Sequence, residues 1–287
     1  MLTVSETKPA TALEQLQKNG YCVLRDILDA GILKRTRHNS EAQVAALDAA
    51  HFESQRATGT MIDSIQMPEF AELFSYPAAL EGLAAMGLED LKFWKANLIS
   101  KPPHSPRNYW HQDCLMWHDP RAYSAMPPMI FLMYYLVDTT RQNGCLRVMP
   151  GTHRRRHALH GMGEAHVGYI NRMDHPDDPR FGDFAGEIDV PVKAGDLLIG
   201  DARLFHATHE NQSDAWRPVI TIWFHPFFSQ LAESTQRWLS DSHHGLHEKW
   251  PADAKRLIEL LVPRYSGTAA GHITRHPNPD WTGAESI

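Results

Sequence analysis

The sequence predicts a mainly β protein in which helices flank a sandwich or barrel of short strands. From about Leu91 onward, short apolar or alternating runs follow one another closely, and segments rich in Gly, Pro, Asn and His separate them. The runs are LKFWKANLIS, MIFLMYYLVD, CLRVMP, EIDVPV, DLLIGD and VITIWFHPF. Before this region, and again near the C-terminus, the apolar residues follow the period of a helix.

The N-terminal part is expected to be mostly helical. Residues 10–19 predict a short helix that ends at Gly20, and YCVLRDIL predicts a strand directly after it. Residues 30–50 predict a longer helix, and residues 69–88 predict a pair of helices broken at Pro77.

The sequence contains no internal repeat and no stretch typical of a linker, so we expect one domain over residues 1–287. Its expected parts are a helical N-terminal layer (about 10–90), a β core (about 91–228), and a C-terminal helix, AKRLIELLV, with a polar tail (about 229–287). Residues 160–187 carry no strand signal and predict a long loop. Such loops in compact domains are more often functional than idle.

Composition and charge limit the classes of partner. Hydrophobic residues make up 43% of the chain and charged residues 22%, as in globular proteins, and the net charge of −6 gives no reason to expect nucleic acid. No apolar run is long enough to cross a membrane, and the first residues do not resemble a signal peptide. Three isolated cysteines fit a reducing compartment. We therefore expect a cytoplasmic monomer or homodimer that acts on a small molecule and binds neither nucleic acid nor membrane.

The stretch NYWHQDCLMWHD contains a candidate metal site. Residues two apart in a strand point to the same face, so His111 and Asp113 can reach one ion together. Imidazole and carboxylate suit Fe(II), Mn(II) or Zn(II). His206, after an apolar strand, offers a third ligand, and Arg217 opens the next strand eleven residues later. Two histidines and one carboxylate form the facial triad of non-haem Fe(II) oxygenases, and an arginine can hold a dicarboxylate cosubstrate.

One other histidine competes for the third ligand position. His209 lies three residues after His206, and strand geometry alone does not decide between the two. The offsets from His206 to Asn211 and Arg217 favour His206. His209 is then interpreted as a turn residue.

The residues that follow Asp113 have two interpretations each. His118 would need a turn to reach the same ion and is interpreted as lining the substrate pocket. Met116 and Trp117 fit an apolar wall over the substrate as well as they fit plain core. Cys114 is interpreted as a small packed residue, since a thiolate suits this oxygen chemistry poorly.

Several motifs occur together in a recognisable order. They are WHQD, QNGCLRVMPGTH, AGDLLIGD and FHATHENQSDAWRP. In these motifs the chain resembles the phytanoyl-CoA dioxygenase family of Fe(II)- and 2-oxoglutarate-dependent oxygenases, over roughly residues 12–228. The spacing in WHQDCLMWH is also similar to that of the ectoine hydroxylase branch.

The resemblance implies a fold, a set of cofactors and a set of site residues. The fold would be a double-stranded β-helix, a cupin-like jelly roll, with Fe(II) at its mouth and 2-oxoglutarate and O2 as cosubstrates. The implied metal ligands are His111, Asp113 and His206. The implied 2-oxoglutarate contacts are Arg217 at the far carboxylate, Thr208 and Asn97. Halogenating members have a small residue in place of the carboxylate, so Asp113 implies hydroxylation or another oxidation.

The leading hypothesis is an oxygenase that hydroxylates a C–H bond of a small polar metabolite or natural-product intermediate and releases succinate and CO2. Charged and polar residues in the 160–187 loop make a polar or charged substrate plausible, namely His166, Arg172, Asp174 and Arg180. The alternatives are a jelly-roll metal enzyme that does not use O2, such as a zinc hydrolase or an isomerase, and a non-catalytic metal-binding module. The sequence does not identify the substrate.

Overall fold

A computed structural model describes residues 9–63, 67–242 and 250–283. Within these ranges the strands are β1 (Tyr21–Leu24), β2 (Ile62–Asp63), β3 (Lys92–Lys101), β4 (Ile130–Tyr135), β5 (Leu146–Val148), β6 (Ile188–Val190), β7 (Leu197–Asp201), β8 (His206–Thr208) and β9 (Arg217–His225). They pair antiparallel in a major sheet of order β1-β7-β4-β9-β3-β2 and a minor sheet of order β6-β5-β8. This confirms the expected jelly roll, and each of the six runs contains a strand.

The alternation of side chains along β4 explains how the major sheet separates two cores. Ile130, Leu132 and Tyr134 pack into one apolar cluster with the helices on the outer face of the sheet. The alternate residues, Phe131 and Tyr135 among them, pack into a second cluster with side chains of the minor sheet. All of β4 is buried because both of its faces are covered. The second cluster is the one that borders the candidate site.

The helices lie mainly before β3 and after β9. They are α1 (Pro9–Asn19), α2 (Ala30–Ala45), α3 (Ala49–Ser54), α4 (Ala71–Phe74), α5 (Pro77–Ala85), α6 (Gly168–Asn171), α7 (Glu233–Ser242) and α8 (Ala252–Ile258). The predicted end of the first helix is confirmed, since Gly20 has a φ of 87° and donates its N–H to the carbonyl oxygen of Leu16. No helix in the described part of the chain has the length and apolar character needed to cross a bilayer.

Three helical predictions differ from the structure. The helix expected over 30–50 is two helices, because Asp48 caps a new helix by accepting the N–H of His51. The C-terminal part contains α7 as well as the expected α8. The sequence of α7 is mostly polar and did not indicate a helix, although Thr235 and Leu239 on it are buried. The loop over 160–187 includes the single turn α6.

Candidate metal centre and cosubstrate cavity

His111, Asp113 and His206 lie together at one end of the space between the two sheets. One ligand atom from each lies within 4.8 Å of the other two, and all three residues are buried. The Nε2 atoms of His111 and His206 are 3.8 and 3.7 Å from the two carboxylate oxygens of Asp113. The three side chains expected to share one ion therefore converge.

Both histidines are held in the tautomer that a metal requires. The Nδ1 atom of His111 is 2.9 Å from the carbonyl oxygen of Tyr109, and that of His206 is 3.1 Å from the carbonyl oxygen of Leu204. A carbonyl oxygen only accepts, so each Nδ1 carries the proton and each Nε2 is free to coordinate. Burial lowers the pKa of both imidazoles, and the neighbouring histidines lower that of His111 further. Both rings are therefore neutral at physiological pH, as ligands must be.

The carboxylate of Asp113 is oriented by two neighbours. The indole N–H of Trp223 on β9 donates to Oδ2 at 2.8 Å, and Nε2 of His166 lies 3.5 Å from Oδ1. Burial alone would raise the pKa of Asp113, but the hydrogen bond from His166 and the nearby imidazoles outweigh it and lower that pKa. Asp113 is therefore an ionised ligand. His166 comes from the 160–187 loop, and its part in this centre was not predicted.

A cavity opens beside the three residues and is lined by three buried side chains that have polar atoms without hydrogen-bond partners in the described parts of the chain. Its lining includes Arg217, Thr208 and Thr221. Nε and Nη1 of Arg217 and the hydroxyl oxygens of both threonines have no hydrogen-bond partner within the described residues. Buried donors left unpaired are costly, so this cavity is built to receive a group with several acceptor oxygens.

A second buried cation lies beside Arg217. Lys101 is in register with Arg217 across β3 and β9 and is fully buried. Burial, and then the charge of Arg217, lowers its pKa well below the usual value. Among the described carboxylates, none forms an ion pair with either cation. Lys101 donates to backbone carbonyl oxygens and is not among the residues that line the cavity, so Arg217 is the cation that faces it. A dicarboxylate with a chelating keto acid end fits Arg217 and the metal donors.

Asn97 was an implied cosubstrate contact, and His209 was the rejected alternative to His206. Asn97 lies on β3, in register with Thr221 on β9, but it is not among the residues that line the cavity. His209 points away from the centre and bonds Asp189 at 2.6 Å, so His206 is the histidine that joins His111 and Asp113. Cys114 is buried in the second apolar cluster, as expected for a packed residue.

The structure does not bring Met116, Trp117 and His118 to the metal centre. Met116 and Trp117 are buried in the apolar cluster, and Trp117 packs on Trp281 with ring centroids 5.1 Å apart. His118 lies 3.1 Å from the hydroxyl of Thr235 on α7. A turn after Asp113 directs these side chains toward the C-terminal segment, which the sequence pattern did not indicate.

A second cavity also borders His111, and its lining includes polar residues from distant segments as well as apolar ones. The polar residues include His160, Glu164, His166, Arg180, Arg275 and His276. His111 and His166 border both cavities. The two cavities therefore adjoin at His111 and His166. The sequence indicated polar residues in the loop but gave no signal for the C-terminal Arg275 and His276.

Comparison with known proteins agrees with this arrangement. The profile of the phytanoyl-CoA dioxygenase family matches residues 16–219. The chain is 29% identical over 215 residues to the ectoine dioxygenase of Sphingopyxis alaskensis, a match that covers 68% of each chain. The family profile spans most of the sequence, and the family assignment rests on it.

Solved structures share the fold. The epimerase SnoN in complex with Fe3+, α-ketoglutarate (2-oxoglutarate) and nogalamycin RO superposes with a TM-score of 0.59 at 17% identity, covering 94% of this chain and 96% of that one. The iron-bound EctD structure from S. alaskensis superposes with a TM-score of 0.56 at 20% identity, covering 79% and 80%. With the match of the family profile, these findings confirm the expected resemblance: the chain belongs to the phytanoyl-CoA dioxygenase family of Fe(II)- and 2-oxoglutarate-dependent oxygenases.

Proposed function

We propose that the protein hydroxylates a C–H bond of a small polar molecule, with His111, Asp113 and His206 as its iron ligands. The observation that supports this most directly is the buried guanidinium of Arg217, whose unpaired N–H groups face the same cavity as the three ligands. Bound Fe(II) and 2-oxoglutarate, with O2, would supply the oxidising chemistry and yield succinate and CO2. A metal enzyme that does not use O2 does not require a 2-oxoglutarate site of this kind.

The residues of the chain contribute binding, orientation and exclusion of water. Arg217 would pair with the far carboxylate of 2-oxoglutarate, and the hydroxyls of Thr208 and Thr221 would complete its hydrogen bonds. Apolar side chains such as Met133 and Leu146 line the rest of the cavity and keep it dry. A cosubstrate held in one orientation would also fix the positions at which the metal reacts. Orientation of this kind is a main contribution of a protein to the chemistry of such a cofactor.

The second cavity is the proposed substrate site. It borders His111, and its lining carries both acidic and basic groups. Arg275 and His276 reach it because Thr274 pairs with the chain after Asp113, its N–H donating to the carbonyl oxygen of Leu115 at 2.8 Å. We therefore propose that the N-terminal helices, the jelly roll and the C-terminal segment act as one domain.

Anaerobic addition of 2-oxoglutarate to the Fe(II)-loaded protein tests the cosubstrate site. We expect a weak visible charge-transfer band in the wild type and its loss in Arg217→Ala, with iron still bound. Arg35→Ala is a matched control, because Arg35 is an exposed residue of α2 that pairs with Glu72. A wild type without the band, or an Arg217→Ala variant that keeps it at full strength, would contradict the proposal.

Metal analysis and product analysis test the reaction class. The wild type should retain iron and release succinate when candidate substrates are supplied, and Asp113→Ala and His206→Ala should lose both properties. Zinc at full occupancy, with turnover of a substrate and no succinate, would favour the hydrolase or isomerase alternative instead. Metal retention without turnover of 2-oxoglutarate under any condition would favour the non-catalytic module.

A further inference from the structure

A second group of metal-binding side chains lies on the outer face of the minor sheet. Cys145, Asp189 and His209 each offer one ligand atom, and these atoms all lie within 4.8 Å of one another. The backbone N–H of His209 donates to the carbonyl oxygen of Cys145 at 3.1 Å, which fixes the two residues opposite each other at the ends of β5 and β8. Asp189 comes from β6, the third strand of the sheet.

This cluster is separate from the candidate iron centre. Leu146, Thr208 and Val190 are in register with one another and point into the space between the sheets. Neighbouring residues in a strand point to opposite faces, so Cys145, His209 and Asp189 point outward. The two groups share no residue, although the thiol of Cys145 lies near enough to Arg217 for each to shift the pKa of the other.

The cluster contains an unsatisfied buried atom. Nε2 of His209 bonds Oδ1 of Asp189 at 2.6 Å, while Nδ1 of the same ring is buried and has no hydrogen-bond partner in the described parts of the chain. Cys145 and His209 are almost fully buried, at 0% and 1% exposure. Neutral imidazole next to a thiol and a carboxylate is a donor set that zinc prefers.

A nucleophilic role for Cys145 is excluded by its surroundings. Burial raises the pKa of its thiol to about 11, so the thiol is protonated at physiological pH. A reactive cysteine needs a lowered pKa and access to solvent, and Cys145 has neither. A metal ion, in contrast, deprotonates a coordinating thiol outright.

We propose that Cys145, Asp189 and His209 form a second metal site of the protein, suited to Zn2+ or a similar divalent cation. Thiolate and carboxylate together neutralise the two positive charges of the ion, which favours its binding beside the buried Cys145 and His209. Asp189 is the exposed member of the cluster. The ion would replace the hydrogen bond between His209 and Asp189 and the ion pair that Asp189 makes with Arg141 at 3.2 Å. That second loss is small, because the side chain of Arg141 is 66% exposed.

The site would join the three strands of the minor sheet. β8 carries His206 and Thr208 on its inner face, and the proposed ligand His209 follows it directly. A bound ion would therefore restrain the strand that presents a candidate iron ligand and a candidate cosubstrate contact. Three protein ligands leave the fourth position of a tetrahedral site to water or another small ligand.

Titration of the metal-free protein with Co2+ tests the site with a readout independent of activity. Only the second site contains sulfur, so a thiolate-to-cobalt charge-transfer band reports it alone. We expect two Co2+ bound per chain and the charge-transfer band in the wild type. Cys145→Ser should lose the band and one equivalent of Co2+, and His111→Ala should keep the band while losing the other equivalent.

Three further variants sharpen the test. Cys22→Ser removes another fully buried thiol, on β1, and should leave the band unchanged. His209→Gln should lose the band without removal of the thiol. Arg141→Met frees Asp189 from its ion pair and should tighten Co2+ binding several-fold. Circular dichroism of each variant separates loss of the site from loss of the fold.

The proposal is wrong if the wild type binds one Co2+ without a thiolate band. It is equally wrong if the band persists in Cys145→Ser. Either result would leave the iron and 2-oxoglutarate assignments untouched, because these depend on residues of the opposite face.

Discussion

His111 and His206 are joined by two reciprocal backbone hydrogen bonds, with N···O distances of 3.0 and 2.9 Å, and their imidazole rings lie 4.1 Å apart between centroids. Residues that face each other in an antiparallel pair present their side chains on the same side. This single bridge therefore aligns two candidate ligands that are far apart in the sequence. Asp113, two residues after His111, joins them from the same segment.

Trp223→Phe should weaken metal binding without removing a ligand. The indole N–H of Trp223 is the only described side-chain N–H that donates to Oδ2 of Asp113, and phenylalanine keeps most of the ring packing. Loss of such an outer partner typically costs about 10- to 100-fold in metal affinity or activity. We expect a loss of this size in the affinity for Fe(II), measured by competition with a chelator.

Trp117→Phe is the matched control for this change. Trp117 is also buried, and its indole N–H has no hydrogen-bond partner among the residues described. It should retain wild-type metal affinity. Equal losses in the two variants would show that ring volume, and not the hydrogen bond to Asp113, explains the effect of Trp223→Phe.

Lys101→Met should remove a pH dependence from the affinity for 2-oxoglutarate. Lys101 donates to the carbonyl oxygens of Ala57 and Pro106 at 3.3 and 2.5 Å and lies beside Arg217. Because burial lowers its pKa, it loses its charge at a lower pH than an ordinary lysine, and the attraction for a dianion is lost with it. We expect wild-type affinity to fall as pH rises through the lowered pKa, and the fall to be absent in the variant.

Calorimetric titration of the metal-loaded protein at a series of pH values, from neutral upward, measures this effect. The charged neighbours of Lys101 are Arg217, which stays protonated, and Glu210, which is ionised throughout this range. Lys92→Met, at the other end of the same strand, is the control. A wild type whose affinity does not change with pH would contradict the role of Lys101.

The β core and the central ligands could be predicted because their signals are local. The strand runs stand out by their apolar residues and turns, and His111, Asp113, His206 and Arg217 follow the order and spacing of a known family. The Trp223 hydrogen bond and the pairing of Lys101 with Arg217 depend on register between strands that are distant in sequence. Single-sequence patterns do not fix such register.

The outer parts of the site were less predictable for a related reason. His166 reaches Asp113 from a loop with no regular period, and Arg275 reaches its cavity through a C-terminal segment that crosses the chain after Asp113. The placement of Met116, Trp117 and His118 depends on the same crossing. If the strand expected at Asp113 continued, alternate side chains after it would point into the space between the sheets. The chain turns after Asp113 and does not continue as a strand.

We expect the free energy of unfolding to fall in mild acid because His160 is buried. Burial lowers its pKa to about 4, and its Nδ1 accepts the N–H of His157 at 3.0 Å while Nε2 is buried without a partner in the described ranges. The ordinary histidine pKa is about 6.5, so between pH 6.5 and 4 the unfolded chain binds more protons than the folded one. The free energy of unfolding should therefore fall as the pH falls through this window, by at most about 1.4 kcal/mol per pH unit for this group.

Urea unfolding of the wild type and His160→Gln at several pH values measures the contribution. The lowered pKa values of His111 and His206 act in the same direction, so the difference between the two proteins isolates His160. The variant should show a shallower fall below pH 6.5, and His38→Gln, which changes an exposed histidine of α2, should not. Parallel curves for the wild type and His160→Gln would rule out this assignment.

Gly200→Ala should damage the metal centre through Phe131. A methyl group at Gly200 on β7 would overlap the ring of Phe131, which faces it in register on β4 and packs on the imidazole of His206 with centroids 4.6 Å apart. Overpacking of this kind typically costs about 1–3 kcal/mol in stability. Because the displaced ring presses on a candidate ligand, we expect metal affinity to fall together with stability.

Gly161→Ala is the control for Gly200→Ala, since a methyl group there meets no atom within 4 Å. Phe131→Leu combined with Gly200→Ala should recover metal affinity relative to Gly200→Ala alone, because leucine is smaller than phenylalanine and leaves room for the added methyl group. Recovery of stability without recovery of metal affinity would mean that Phe131 does not position His206.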